Sequence, residues 1–202
     1  MIRPHAHHFC YDATEFEAMK DKLISLKSHG ADGFVFGILN RVPKDRCDPT
    51  MSWIDVSRNK ELVRLAEGRP CTFHRAFDLI PESHWKTALA DIMDCGFASI
   101  LTNGGPSGTK ATECVDKLRA LVHWRKAQLR DRNSSLGNQV PEIIVGGGVR
   151  ASNVGCLLSE ITDATAFHSA ALRDSDELVC ESEVLEMKHQ TSGSLRTHKN
   201  GE

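Results

Sequence analysis

Several devices that would identify a chain at once are absent here. Seven cysteines lie at positions 10, 47, 71, 95, 114, 156 and 180, yet no two form a C-x-x-C pair. Their odd number and irregular spacing exclude a disulfide framework and predict reduced thiols. Apolar neighbours place Cys71, Cys95, Cys114 and Cys156 in the core, where free cysteine usually packs. No apolar run approaches the ~18 residues of a membrane span. The first residues lack the charged region and apolar core of a signal peptide, so the expected address is cytoplasmic, with no membrane partner. A net charge of −2 creates no field for gathering nucleic acid or anionic lipid.

Strand and helix signals alternate along the rest of the chain. Met1 to Pro4 reads as a strand end. A helix follows over residues 12–30, with Phe16, Met19, Leu23 and Leu26 at helical spacing, Thr14 and Glu17 as a capping box, and Gly30 as the stop. GFVFGIL (33–39) is a continuous apolar run, suited to a strand buried on both faces. Further strands are expected at 70–74, 99–102, 142–145 and 164–170, with helices over 55–67, 83–95, 109–130 and 152–160. HWRKAQLRDR (123–132) reads as a solvated helix face and RDRNSSLGNQ (130–139) as a solvated loop, and Trp53, Trp85 and Trp124 read as packing residues. Beyond Leu172 the chain turns polar, with a helical piece near 177–188 and disorder from His189 onward.

This alternation predicts a parallel α/β architecture. Polar residues sit at the end of strand after strand (HRAFD, TNGGPSG, GGGVR and HSAA), which favours a (β/α) barrel with its site on one face over an open sheet. Six strands are counted where a closed barrel needs eight. The expected fold is therefore an incomplete TIM-type barrel over residues 1–171, followed by a polar tail over 172–202.

In order, IRPHAHHFCYDATEFEAMKDKL, ADGFVFGIL, CTFHRAFDLI, ILTNGG, IIVGGGV and ATAFHSAA resemble the sequence blocks of the CutC copper-homeostasis family. The resemblance runs over about residues 1–171, with insertions near 41–53 and 126–140. It implies a TIM-type barrel, a cytosolic location, a role in copper tolerance with copper as the bound ion, and homo-oligomerisation. It also implies that two strand–helix units, which carry the cysteines proposed as copper ligands in the family, precede the block beginning at Ile2. Where the family reads I-R-P-R-G-G-D-F, this chain reads IRPHAHHF. Ile2, Arg3, Pro4 and Phe9 match, whereas His5, Ala6, His7 and His8 depart from the pattern.

The candidate site residues lie at strand ends. Arg3 offers a planar fork for a carboxylate or phosphate, or a structural pair for a strand-end acid. His74 is a candidate acid, base or metal ligand. Arg75 and Asp78 accompany it, Asp78 either orienting His74 or pairing with Arg75. Gly146, Gly147 and Gly148, with Arg150 and a helix beginning near Ser152, form either an anion cradle or a tight turn. Asn103, Gly104 and Gly105 make a similar, weaker loop, and His168 and Ser169 complete the series.

The opening histidines need a different argument. In a strand, His5 and His7 would share one face and His8 and Cys10 the other, so the four cannot meet one ion; a loop would allow it. Metal ligation is thus open for His5, His7, His8, Cys10, His74 and His168. Three readings follow. The chain is a copper-homeostasis protein; or it is a barrel enzyme for a small anionic or phosphorylated ligand, with no reaction assigned; or it is an inactive truncated product with unpaired strand edges.

Overall fold

The computed structural model describes residues 1–41, 52–131, 139–172 and 178–197. They form two compact units, Met1–Leu101 with Gln128–Glu142, and Thr102–Ala127 with Ile143–Glu202. The architecture is α/β: five parallel strands whose order in the sheet follows their order in the chain. The six strands expected become five among the described residues. Cys47 and most of the expected insertions and loop at 41–53 and 126–140 lie outside those residues.

In the first unit, α1 (Ala13–Ser28) begins with a capping box built by Asp12 and Glu15. Each carboxylate accepts from the other's backbone N–H at 2.8 Å. The box expected at Thr14 and Glu17 therefore lies two residues earlier, because Asp12 presents a short anionic acceptor at the positive end of the helix. Glu17 instead pairs with Lys20 at 2.8 Å. Phe16, Met19 and Leu23 form the buried stripe of α1.

Strand β1 (Phe34–Phe36), α2 (Val56–Leu65), β2 (Cys71–Phe73), α3 (Trp85–Cys95) and β3 (Ser99–Thr102) follow. Phe34 lies opposite Cys71 and Phe36 opposite Phe73, and Phe73 lies opposite Ile100. Phe36 and Phe73 both pack on Phe97, at centroid distances of 5.1 and 5.2 Å. Burying each ring contributes about 1.5–3 kcal/mol, which makes this trio the centre of the unit's core. Gly96 ends α3 in the left-handed conformation, φ 87°, that glycine adopts without a Cβ clash. The expected strand at Met1–Pro4 is reduced to one ladder bond, from Ile2 N–H to Val35 O at 2.8 Å. Pro4 has no N–H to continue it, and the chain turns away.

In the second unit, α4 (Val115–Asp131) buries Leu118, Leu121 and Val122. Its expected first turn from residue 109 is instead a loop and a short 3₁₀ turn, Ala111–Glu113. Strand β4 (Glu142–Val145) pairs with β5 (Ala166–Phe167) through Ile144 with Ala166 and Val145 with Phe167. Between them, α5 (Ala151–Glu160) buries Ala151, Val154 and Leu157. Cys156 points off that stripe and is exposed, against the core position expected for it; Cys71, Cys95 and Cys114 are buried as expected. Helix α6 (Glu181–Thr197) packs against α5 and runs nine residues into the stretch from His189 read as disordered.

Candidate functional site

The exit of β2 is built around His74. Its N–H extends the ladder to Phe36 O at 3.1 Å, and its Nδ1 accepts from Ala76 N–H at 3.3 Å. The ring thereby caps a 3₁₀ turn, Arg75–Leu79, where the sequence suggested an irregular loop. Gly37 makes room for it: a Cβ at that position would lie 2.8 Å from Nδ1. The Phe9 ring meets the imidazole edge-on at 4.7 Å, and only 3% of His74 is exposed. Burial first, and then the positive charge of Arg3, lowers the imidazole pKa to about 4. At neutral pH the ring is uncharged, and since Nδ1 accepts, its proton sits on Nε2. That nitrogen is buried with no hydrogen-bond partner. Asp78, its side chain fully buried, pairs with Arg75 at 2.7 Å, which selects the pairing role over orientation of His74.

The opening segment folds over this exit as a turn without regular secondary structure. Ile2 N–H binds Val35 O, and Phe9 O accepts from Leu39 N–H at 2.8 Å, so both ends are pinned to the β1 region. Arg3 bridges the turn, its Nη2 donating to Ala6 O at 2.7 Å and its guanidinium lying 4.3 Å above the centre of the Phe9 ring. Its Nε and the Tyr11 hydroxyl are both buried, and the two side chains share a hydrogen bond. Burial raises the Tyr11 phenol pKa, and the neighbouring Arg3 charge opposes that rise.

Being a turn, the segment does bring His5, His7 and His8 together: the His5 ring is 5.7 Å from His7 and 4.2 Å from His8. His5 Nε2 also lies 3.1 Å from Glu15 Oε1. Cys10 does not join them. Its Sγ contacts Asn40 O at 3.4 Å, and burial raises its pKa, which keeps it a thiol. Among the described residues, no group of three or more His, Cys, Asp or Glu side chains is arranged to hold a metal ion. His168 is exposed at the end of β5, its backbone N–H bound to Val145 O.

At the exit of β4 the polar groups are used internally. Gly147 and Gly148 adopt positive φ, 97° and 73°. Gly146 N–H donates to Thr102 O, Gly147 O accepts from Ala111 N–H, and Gly148 O accepts from Asn153 Nδ2. Arg150 Nη1 donates to Val149 O at 2.8 Å. Ala151 N–H, in the first turn of α5, donates to the Glu183 carboxylate at 2.6 Å. Asn103, fully buried, staples its own loop by donating to Thr109 O and accepting from Gly105 N–H.

Three residues central to this arrangement were not singled out from the sequence. Asn59 is fully buried on α2, where it accepts from Ile38 N–H and donates to Ile38 O and Asp55 O. A polar residue among the apolar positions of that helix was its only signal. Tyr11 is the single tyrosine of the chain. Glu183 resembled any acidic residue early in a helix.

Comparison with known proteins gives a consistent result. The CutC family profile matches residues 1–172. A CutC family protein of Streptococcus pyogenes is 31% identical over 172 residues, covering 85% of this chain and 72% of that one. The copper homeostasis protein cutC homolog of Homo sapiens is 30% identical over 179 residues, and the match covers 87% of this chain and 55% of the human one. The crystal structure of CutC from Streptococcus agalactiae superposes with a TM-score of 0.65 at 29% identity, covering 82% of this chain and 69% of that one.

Proposed function

The chain belongs to the CutC family, and from that premise we propose that it serves in copper homeostasis, with copper as the ion it handles. The match of the family profile over residues 1–172 carries this reading. The copper homeostasis names of the animal relatives support it. The chain spans little more than half the length of those relatives, so the role is proposed for these residues alone.

Within them, copper meets the exposed imidazoles of His7 and His8 in the His5–His8 turn, where both ring nitrogens of His5 are buried. Imidazole suits copper, and these three rings are neighbours. They do not converge as a three-donor set, so one or two imidazoles make a weak, readily exchanged contact. His74, sealed and tied through Nδ1, takes no part. Cys10, Cys71, Cys95, Cys114 and Cys156 are free thiols, and we place the protein in the cytosol, where thiols stay reduced.

Titration of the purified, reduced chain with Cu(I) against a chromophoric chelator tests the assignment. Weak binding is expected, lost when His5, His7 and His8 are all replaced by alanine and retained in His74→Leu. Binding that survives the triple substitution refutes the turn as the contact. No binding by the folded chain refutes a direct copper role.

A further inference from the structure

We propose that the cavity beyond β1, walled by Phe9, Leu39, Trp53 and Leu79 and edged by Arg41, binds a small aromatic carboxylate, independently of copper. The cavity measures about 360 Å³. That falls among small-molecule sites, and an apolar cavity of about 150 Å³ already accepts benzene. It lies within the first unit, on the side where β1 and β2 end, which is where parallel α/β proteins hold their ligands. Leu39 and Arg41 follow β1, Leu79 ends the 3₁₀ turn after β2, Phe9 closes the opening turn, and Trp53 precedes α2.

The frame of the cavity answers its own polar groups. Leu39 N–H donates to Phe9 O at 2.8 Å, and Asn40 N–H to Trp53 O at 3.0 Å. The Asn40 side chain donates to Ser52 O and Ile54 O, and the Cys10 thiol donates to Asn40 O at 3.4 Å. The surface left facing the space is mainly apolar. Leu39 is buried, Phe9 and Trp53 are half-buried, and Leu79 keeps 42% of its surface exposed. His84 meets the Trp53 ring edge-on at 5.8 Å, which fixes the indole as a wall. Two aromatic rings and two leucines around one concavity suit a flat apolar body.

Arg41 sets the charge of that body. Among the described residues lining the cavity none is acidic, and Arg41 alone carries a permanent charge. Among the described residues no carboxylate pairs with it. The acids of the neighbouring segments are engaged: Asp55 accepts from Arg58 N–H at 3.0 Å, and Asp91 from Ser52 Oγ at 2.6 Å. Burial keeps Cys10 a neutral thiol, so it does not repel an anion. The guanidinium fork matches a carboxylate, and the His8 imidazole at the rim adds an N–H donor. A ring against Trp53 and Phe9 with its carboxylate on Arg41 uses both parts of the cavity. A bare carboxylate uses only the charge, and a cation is repelled.

The test is NMR of the metal-free, isotope-labelled full chain during titration with benzoate. Benzyl alcohol, which lacks the charge, and acetate, which lacks the ring, are the control probes. Benzoate is expected to shift the Trp53 indole N–H signal saturably. Benzyl alcohol should bind roughly tenfold more weakly, and acetate should give no saturable shift. Arg41→Gln should lower the benzoate affinity to that of benzyl alcohol, and Leu79→Glu, which places a negative charge on the wall, should abolish benzoate binding. Both positions are exposed, so both variants should fold. No saturable shift with benzoate overturns the proposal, as does an unchanged benzoate affinity in Arg41→Gln. Benzyl alcohol binding as tightly as benzoate overturns the carboxylate, and acetate doing so overturns the aromatic body. Neither variant removes an imidazole of the opening turn, so Cu(I) binding should persist in both, and the two readings fail separately.

Discussion

The exits of β2 and β4 begin alike. Each follows a short parallel strand, each carries an arginine and a run of polar or flexible residues, and each reads from the sequence as either a ligand site or a structural turn. Structurally they diverge. At the β4 exit the chain answers its own polar groups: Gly146 N–H, Gly147 O and Gly148 O have partners, and the Glu183 carboxylate sits on the first turn of α5, where an external anion would otherwise be drawn. At the β2 exit the buried His74 Nε2 has no hydrogen-bond partner. The contrast shows that a glycine-rich loop ahead of a helix is no more a ligand site than a sealed histidine until its hydrogen-bond partners are known.

The largest expected effect comes from removing the frame beside the β2 exit. Asn59→Leu deletes the bonds to Ile38 and Asp55, leaves Ile38 N–H buried without a partner and strips Ile38 O to its bond from Asp55 N–H. A loss of about 3–4 kcal/mol is expected in urea unfolding; a loss under 1 kcal/mol would mean that the β1 and β2 exits do not depend on this bridge.

A pH experiment sharpens the comparison next, since only the β2 exit holds a buried neutral imidazole. The folded pKa of His74, about 4, lies below the ordinary imidazole value of 6.5, so the unfolded chain binds the extra proton between these values. Stability from this group is therefore complete above pH 6.5 and declines as pH falls toward 4, by up to about 3 kcal/mol. Unfolding free energies of wild type and His74→Phe at pH 7 and pH 4.5 isolate the effect, because other titrating groups cancel in the difference. Equal pH dependence in the two proteins would show that His74 is not buried in its neutral form.

The smallest effect belongs to the β4 exit. Glu183→Ala should cost about 1–2 kcal/mol by leaving Ala151 N–H uncapped, and should speed hydrogen exchange in α6 more than in α4. Unchanged exchange in α6 would show that the carboxylate does not hold that helix.

Much of the frame was legible because it depends on neighbours in sequence. The stop at Gly96 needs only a residue tolerant of positive φ, and the apolar stripe of α1 needs only its own spacing. The same locality explains the small errors. Thr14 and Glu17 have the capping-box spacing, but Asp12 with Glu15 has it too, and placement relative to the β1 region selects the earlier pair. The tail from His189 looked disordered because its composition is polar, yet α6 runs through it to Thr197.

By itself the sequence determined the alternating α/β plan, the reduced cysteines, and the ordered blocks that place the chain in the CutC family. Only the tertiary structure decided which polar groups have partners. Ala151 and Glu183 are 32 residues apart, and Ile38 and Asn59 are 21 apart. Whether a buried donor finds an acceptor depends on such long-range contacts, which neither periodicity nor composition encodes. That is why the Glu183 carboxylate on the first turn of α5 and the unpartnered Nε2 of His74 came to light only in the folded chain.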